Sequence, residues 1–183
     1  GARSTKLTEM AQAKPAKTLS KSSRFNVVIV GGGSAGIATA ASMLKRNKTI
    51  SLAIIDPADD HYYQPGWTMV GGGAFSPEFT HRKEKDLIPA RAQWVKSAVS
   101  SFDPENNSVA TADGQEIGYD VLIVCPGIKL DWEAIDGLPE TLGKNGVTSN
   151  YRFDLAPYTW AMSAFSSTIR VQCSSVSRNM CPP

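Results

Sequence analysis

The sequence predicts an α/β fold, a parallel sheet with a crossover helix and a small antiparallel β-meander. Three observations carry this. Residues 25–56, FNVVIVGGGSAGIATAASMLKRNKTISLAIID, pass from an apolar run through a glycine turn into a small-residue, helix-favouring segment, then into a second apolar run tipped by an acid. Residues 109–119 hold Asp113-Gly114 between two short β-prone runs, a strong hairpin signal. Residues 121–124, VLIV, are apolar throughout, as a strand buried on both faces of a parallel sheet would be.

The glycine turn is read residue by residue. Gly31 lets the chain turn sharply off the strand, and Gly33 leaves room for a pyrophosphate to reach the backbone. Gly36 lets the helix pack closely on the sheet. Gly32, Ser34 and Ala35 complete the GxGxxG turn, and free N–H groups at the positive end of the helix dipole face the phosphates. Asp56 lies twenty residues past Gly36, at the tip of the second strand, where a carboxylate accepts ribose hydroxyls. Strand, turn, helix, strand and acid together predict a Rossmann-like dinucleotide site. An ordinary βαβ unit with a structural glycine turn is the plainer alternative.

A chain of 183 residues allows one domain with tails, and 42% hydrophobic residues suffice for a core. A net charge of +2, with no basic face and no basic–aromatic interleaving, gives no argument for nucleic acid. No apolar run approaches the roughly 18 residues of a membrane span. Cys125, Cys173 and Cys181 are too few and scattered for a disulfide framework and lack metal-ligand spacing, and the two histidines make a zinc site improbable, so no metal is expected.

Along the chain, residues 1–24 carry six Lys and Arg against Glu9 alone, with Ser, Thr and Ala filling most of the rest. This composition suits a disordered, mitochondrial transit-like segment, outside the fold. Residues 57–79 are dense in Pro, Gly and aromatics and read as loop and turn that line something. Gly71, Gly72 and Gly73 follow no apolar strand and form no second fingerprint. Residues 94–102 alternate enough for one strand, 103–107 turn, and the hairpin leads through 117–119 to the apolar run and the Cys125-Pro126-Gly127 turn. Residues 130–143 read as loop, and a helix is expected around 159–162. The domain thus spans 25–165. Residues 166–183 are Ser-rich, aperiodic and end on Pro182-Pro183, and read as an unstructured tail.

Several of these stretches resemble the two-dinucleotide-binding-domain flavoproteins and, among them, the mitochondrial sulfide:quinone oxidoreductases. VVIVGGGSAGIATAA fits the whole superfamily. HYYQPGWTMVGGGA resembles that family's His-aromatic-Tyr-Gln-Pro loop nearly residue by residue. WVKSAVSSFDPENNSV, GYDVLIVCPGIKLDW with GLPE, and SNY with a downstream TW extend the likeness over residues 25–165. The resemblance implies FAD, rather than NAD, at the glycine turn. It implies oxidation of hydrogen sulfide at a cysteine pair, transfer of the sulfane sulfur to a small thiol acceptor, and electron transfer through the flavin to ubiquinone at the inner mitochondrial membrane. By position, Gly31, Gly32, Gly33, Ser34, Ala35 and Gly36 would hold the FAD pyrophosphate and Asp56 the ribose. Ala98 and Val99 would flank the adenine through backbone groups. Tyr63, Gln64 and Pro65 would lie towards the flavin, with the turn of Cys125 and Gly127 close to it. Proline at position 126, where the superfamily usually has threonine, departs from the pattern.

The resemblance also places a redox cysteine shortly past residue 165, in a Lys-Cys-Ala-Gly-Ala-Pro setting. Cys173 stands in VQCSSVS and Cys181 in MCPP instead, so a truncated or alternatively spliced chain with a replaced tail is expected. Cys125 follows an apolar strand and reads as a small buried hydrophobe sooner than as a catalytic thiolate. His61 reads as a loop histidine or as a proton relay near the flavin. Two other functions compete: a non-catalytic dinucleotide-binding fragment, and an NAD(P)-dependent oxidoreductase, against which the meander and the HYYQPGW stretch argue.

Overall fold

The computed structural model describes residues 22–168 of the chain. Strand β1 (Ser22–Val30) runs into the glycine turn and helix α1 (Ser34–Arg46), and β2 (Leu52–Ile55) returns beside β1. A hairpin of β3 (Asp60–Tyr62) and β4 (His81–Lys83) brackets helix α2 (Pro65–Gly71), and the short α3 (Glu84–Leu87) leads to β5 (Gln93–Val95). Then come β6 (Val99–Asp103), β7 (Ser108–Thr111), the long β8 (Glu116–Val124), the single turn α4 (Leu138–Thr141) and α5 (Ala156–Thr168). The main sheet has the order β5-β2-β1-β8-β7-β6. Strands β5, β2, β1 and β8 are parallel, whereas β6, β7 and the start of β8 form the antiparallel meander.

The continuous apolar runs follow from a sheet covered on two faces, since successive side chains point to opposite sides. Val27, Ile29, Leu52 and Ile54 pack against Ala40 and Leu44 of α1. Val28, Val30, Ala53 and Ile55 face the other way, into Val95, Val109, Ile117 and Tyr119. The meander therefore supplies the layer that a crossover helix would otherwise provide. Only Lys96, Ser97 and Ala98 separate β5 at one edge from β6 at the other, so the meander must curl across the sheet face.

Several expectations are corrected. Strand β1 begins at Ser22, so residues 22–24 belong to the sheet and not to the leading segment: Arg24 donates to the Asp120 carboxylate at 2.8 Å, and Ser22 registers with Glu116. Residues 1–21 lie outside the described residues. The 57–79 stretch contains strand and helix, because Pro65 occupies the first turn of α2, where a missing N–H costs nothing. Residues 94–102 form two strands on opposite edges instead of one. The 130–143 stretch carries the α4 turn and a 3₁₀ turn at Trp132–Ala134. Helix α5 continues to Thr168, past the expected boundary at 166, and Cys173 and Cys181 lie outside the described residues. Residues 121–124 extend β8 but are not fully buried: Val121 is 51% and Val124 54% exposed. The cause is pairing: β7 registers only with Glu116, Ile117 and Gly118, so the far half of β8 has β1 on one side and no described strand on the other.

Candidate functional site

The carboxyl ends of β1 and β2 meet at the glycine turn. Gly31 has φ +106°, a conformation that costs an L side chain, and a Cβ there would lie 2.2 Å from the Cys125 carbonyl oxygen. A Cβ on Gly36 would sit 1.9 Å from the Gly31 carbonyl oxygen, so turn and helix close on each other only without side chains. Nothing lies within 4 Å of a Cβ built on Gly33, which leaves an open approach to the backbone. The first α-helical bond is Ile37 N–H to Gly33 O, and no side chain caps the helix. The N–H groups of Ser34, Ala35 and Gly36 precede that bond and are free of intrahelical acceptors, at the positive end of a 13-residue helix. An uncapped, exposed helix start with an open glycine is complementary to a diphosphate.

Asp56 braces this turn. Its Oδ2 accepts the Gly32 N–H at 2.6 Å, its Oδ1 accepts the Ala58 N–H at 2.8 Å, and its main chain is pinned by Val95 O and by the Trp94 indole N–H. Each carboxylate oxygen keeps a further lone pair for a hydroxyl. Val95 is thereby beside Asp56, which brings the 97–99 segment to the same end of the sheet. Ala98 is exposed there, but its carbonyl already accepts the Ala112 N–H at 2.8 Å, and Val99 pairs with Thr111. Any Ala98 backbone contact to a base must therefore share that acceptor or use its N–H.

Gln64 stands at the start of α2 next to Pro65, without a side-chain hydrogen bond to the helix. It lines a 340 Å³ concavity with Trp67, Ile128, Lys129, Trp132 and Tyr151. The structure thus brings the HYYQPGW stretch against the segment that follows Gly127. Tyr63 is 49% exposed beside it. A larger 580 Å³ concavity adjoins, sharing Lys129, Leu130 and Trp132 and adding Arg152.

Cys125 is tied to the turn rather than poised for attack. Its N–H donates to Val30 O at 2.8 Å, its thiol faces Gly31 O at 3.8 Å, and burial pushes the thiol pKa up. The backbone bond fixes the residue, and the thiol's carbonyl partner and burial both favour S–H over thiolate.

Glu84 and the role of His61 were not legible in the sequence. The Glu84 side chain is 2% exposed at the start of α3, directly behind the turn. Its Oε1 lies 2.5 Å from the position of a Cβ on Gly32 and has no hydrogen-bond partner. Its Oε2 meets His61 Nδ1 at 3.2 Å, and His61 Nε2 meets Ser34 Oγ at 3.4 Å. Burial pushes the Glu84 carboxyl up, His61 pulls it down, and the nearby Asp56 charge pushes it up again. The one available signal was the middle glycine of the GGG run. The fingerprint leaves that position free, but a Cβ there would meet both the Glu84 carboxylate and the Asp56 Cβ, the latter at 2.9 Å.

Comparison with known proteins places these features. The family model for pyridine nucleotide-disulphide oxidoreductases matches residues 25–157. The mitochondrial sulfide:quinone oxidoreductase of Dictyostelium discoideum is 49% identical over 135 residues, covering 73% of this chain and 30% of the relative. That of Mus musculus is 38% identical over 136 residues, with 74% and 30% covered. The chain therefore spans about 30% of the length of these curated relatives. Among solved structures, the sulfide:quinone oxidoreductase of Aquifex aeolicus superposes with a TM-score of 0.60 at 22% identity, covering 79% of this chain and 32% of that one. At that identity the superposition supports the fold alone.

Proposed function

Because the chain belongs to the pyridine nucleotide-disulphide oxidoreductase family, we propose that it forms the adenosine-diphosphate half of an FAD site in a mitochondrial, flavin-dependent sulfide:quinone oxidoreductase. The observation that carries this is the glycine cradle: an open Gly33, an uncapped helix start and a braced Asp56 at one sheet end. In this reading the N–H groups of residues 33–36 hold the diphosphate and Asp56 the ribose. Residues 98–99 flank the adenine. Gln64, Pro65 and the Gly127 turn face the ring end. FAD held there would supply the two-electron carrier between hydrogen sulfide and ubiquinone. Sulfide becomes sulfane sulfur on a small thiol acceptor, and the quinone takes up two electrons and two protons. Cys125 is assigned to positioning of the glycine turn. Among the described residues no helix is long and apolar enough to cross a membrane. Contact with the inner-membrane surface is part of the proposal for the whole enzyme.

A second reading is a dinucleotide-binding unit without catalysis: among the described residues Cys125 is the one cysteine, and it is held to the Gly31 carbonyl with its thiol pKa pushed up by burial. Titrating the purified chain with FAD while following tryptophan fluorescence tests the cofactor, and adding sulfide with a short-chain quinone tests the chemistry. FAD is expected to bind reversibly and to be lost on gel filtration. Bound flavin that sulfide does not bleach supports the non-catalytic reading. Binding of NADH that FAD fails to displace would overturn the FAD reading and leave a dinucleotide-binding unit of another specificity.

A further inference from the structure

The phosphate turn is backed by two carboxylates, an odd surrounding for a diphosphate. Asp56 binds the Gly32 N–H, and Glu84 presses its unpartnered, buried Oε1 against the same glycine. Four cations of neighbouring elements are committed elsewhere. Lys83 and His81 of β4 both hold Asp60, Lys96 beyond β5 holds Asp59, and Arg82, opposite His61 in the hairpin, donates to the carbonyls of Glu78, Phe79 and His81. His61 faces the turn, with Glu84 behind it and Ser34 in front.

We propose that Ser34, His61 and Glu84 form a proton-linked clasp: binding of the dinucleotide's diphosphate at the glycine turn is coupled to uptake of one proton by His61, which frees the Ser34 hydroxyl to donate to a phosphate oxygen. This rests on the reading of the turn as the FAD diphosphate site. The Glu84 carboxylate accepts the Nδ1–H and fixes the ring. In the neutral ring, Nε2 is an acceptor, so the Ser34 O–H is spent on it. In the imidazolium, Nε2–H donates to Ser34 Oγ. The hydroxyl proton then turns outward, beside the free N–H groups of the helix start. The same proton offsets one of the negative charges that Asp56 and Glu84 place behind the anion. His61 and Glu84 are positioning residues in this scheme, and Ser34 makes the contact.

The experiment is calorimetric titration of the full chain with FAD between pH 5.5 and 8.5, in buffers of low and high ionisation enthalpy. FAD is the probe because its diphosphate diester does not itself titrate in that window. The buffer dependence of the heat is expected to report net proton uptake on binding. Affinity should weaken with rising pH by up to about tenfold per pH unit. His61→Gln is expected to abolish both effects, and His81→Gln to leave them intact. Ser34→Ala is expected to weaken binding most at acid pH and so flatten the profile. Binding of FAD with no proton uptake, or the same pH profile in His61→Gln, overturns the clasp and leaves the cofactor reading standing. Absence of FAD binding at every pH overturns both.

Discussion

Glu84 carries an opposition between stability and binding that one substitution separates. Its carboxyl is buried with one oxygen unpartnered, and burial raises its pKa in the folded chain above the ordinary value. A raised acid in the native state favours the neutral form, so the folded chain loses stability as pH climbs through the raised value. Below the unfolded-state value both states are protonated and the penalty vanishes. Glu84→Gln retains an acceptor for the His61 N–H without the charge. It is therefore expected to raise Tm at pH 7–8 by about 2–4 °C, and to match the parent near pH 4. Thermal melts followed by circular dichroism at the two pH values check this. A variant less stable than the parent at neutral pH would show that the carboxylate is net stabilising. The glycines were legible because their spacing states a chemical need. Glu84 was not, because a buried charge is set by what folds over it, and HRKEKDL looks like any solvated charged run.

At the scale of elements, the meander hairpin is closed by side chains as well as by its turn. Asp113 accepts the Thr111 hydroxyl at 2.6 Å and the Gln115 amide at 2.6 Å, and Gly114 takes φ +82° in open space. These hydrogen bonds, led by Thr111, lower the Asp113 carboxyl to about 2. A depressed acid contributes stability above its unfolded value and loses it as pH falls through the folded value. Asp113 therefore supports the hairpin down to about pH 4 and withdraws that support between about pH 4 and 2. Asp113→Asn is expected to show a smaller loss of stability than the parent across that interval. Urea melts at pH 4 and pH 2 measure it, and equal losses in the two proteins would remove Asp113 from the account. This hairpin was readable from Asp113-Gly114 because a local turn fixes its register. The division of residues 94–102 into β5 and β6 was not. Their alternation suits a strand at either edge, and only long-range pairing with β2 and β7 splits them. The hairpin and helix at 60–71 were hidden for a related reason. Aromatics that read as loop pack instead on a partner far along the chain, with Tyr62 and Phe153 ring centroids 4.8 Å apart.

For the whole molecule, β8 sets the behaviour in solution. Its far half has unpaired backbone groups along the side away from β1, among the described residues. On and beside it, Val121 and Val124 are half exposed and Ile128 is 81% exposed. A parallel sheet buried on both faces offers apolar side chains wherever its cover stops, and an open edge offers main-chain donors and acceptors in register. Burying the exposed half of each valine recovers roughly 1 kcal/mol, and burying the mostly exposed isoleucine about 1.5–3 kcal/mol, which together favour association. The chain is therefore expected to self-associate and to be poorly soluble. Light scattering behind gel filtration should give masses above 19.6 kDa that rise with loading. Val121 and Val124 point to opposite faces, so replacing both by lysine puts charge on each face of this open edge and is expected to shift the population towards monomer with FAD affinity unchanged. A parent chain that runs as a concentration-independent monomer and melts cooperatively would show that this strip is covered within the molecule.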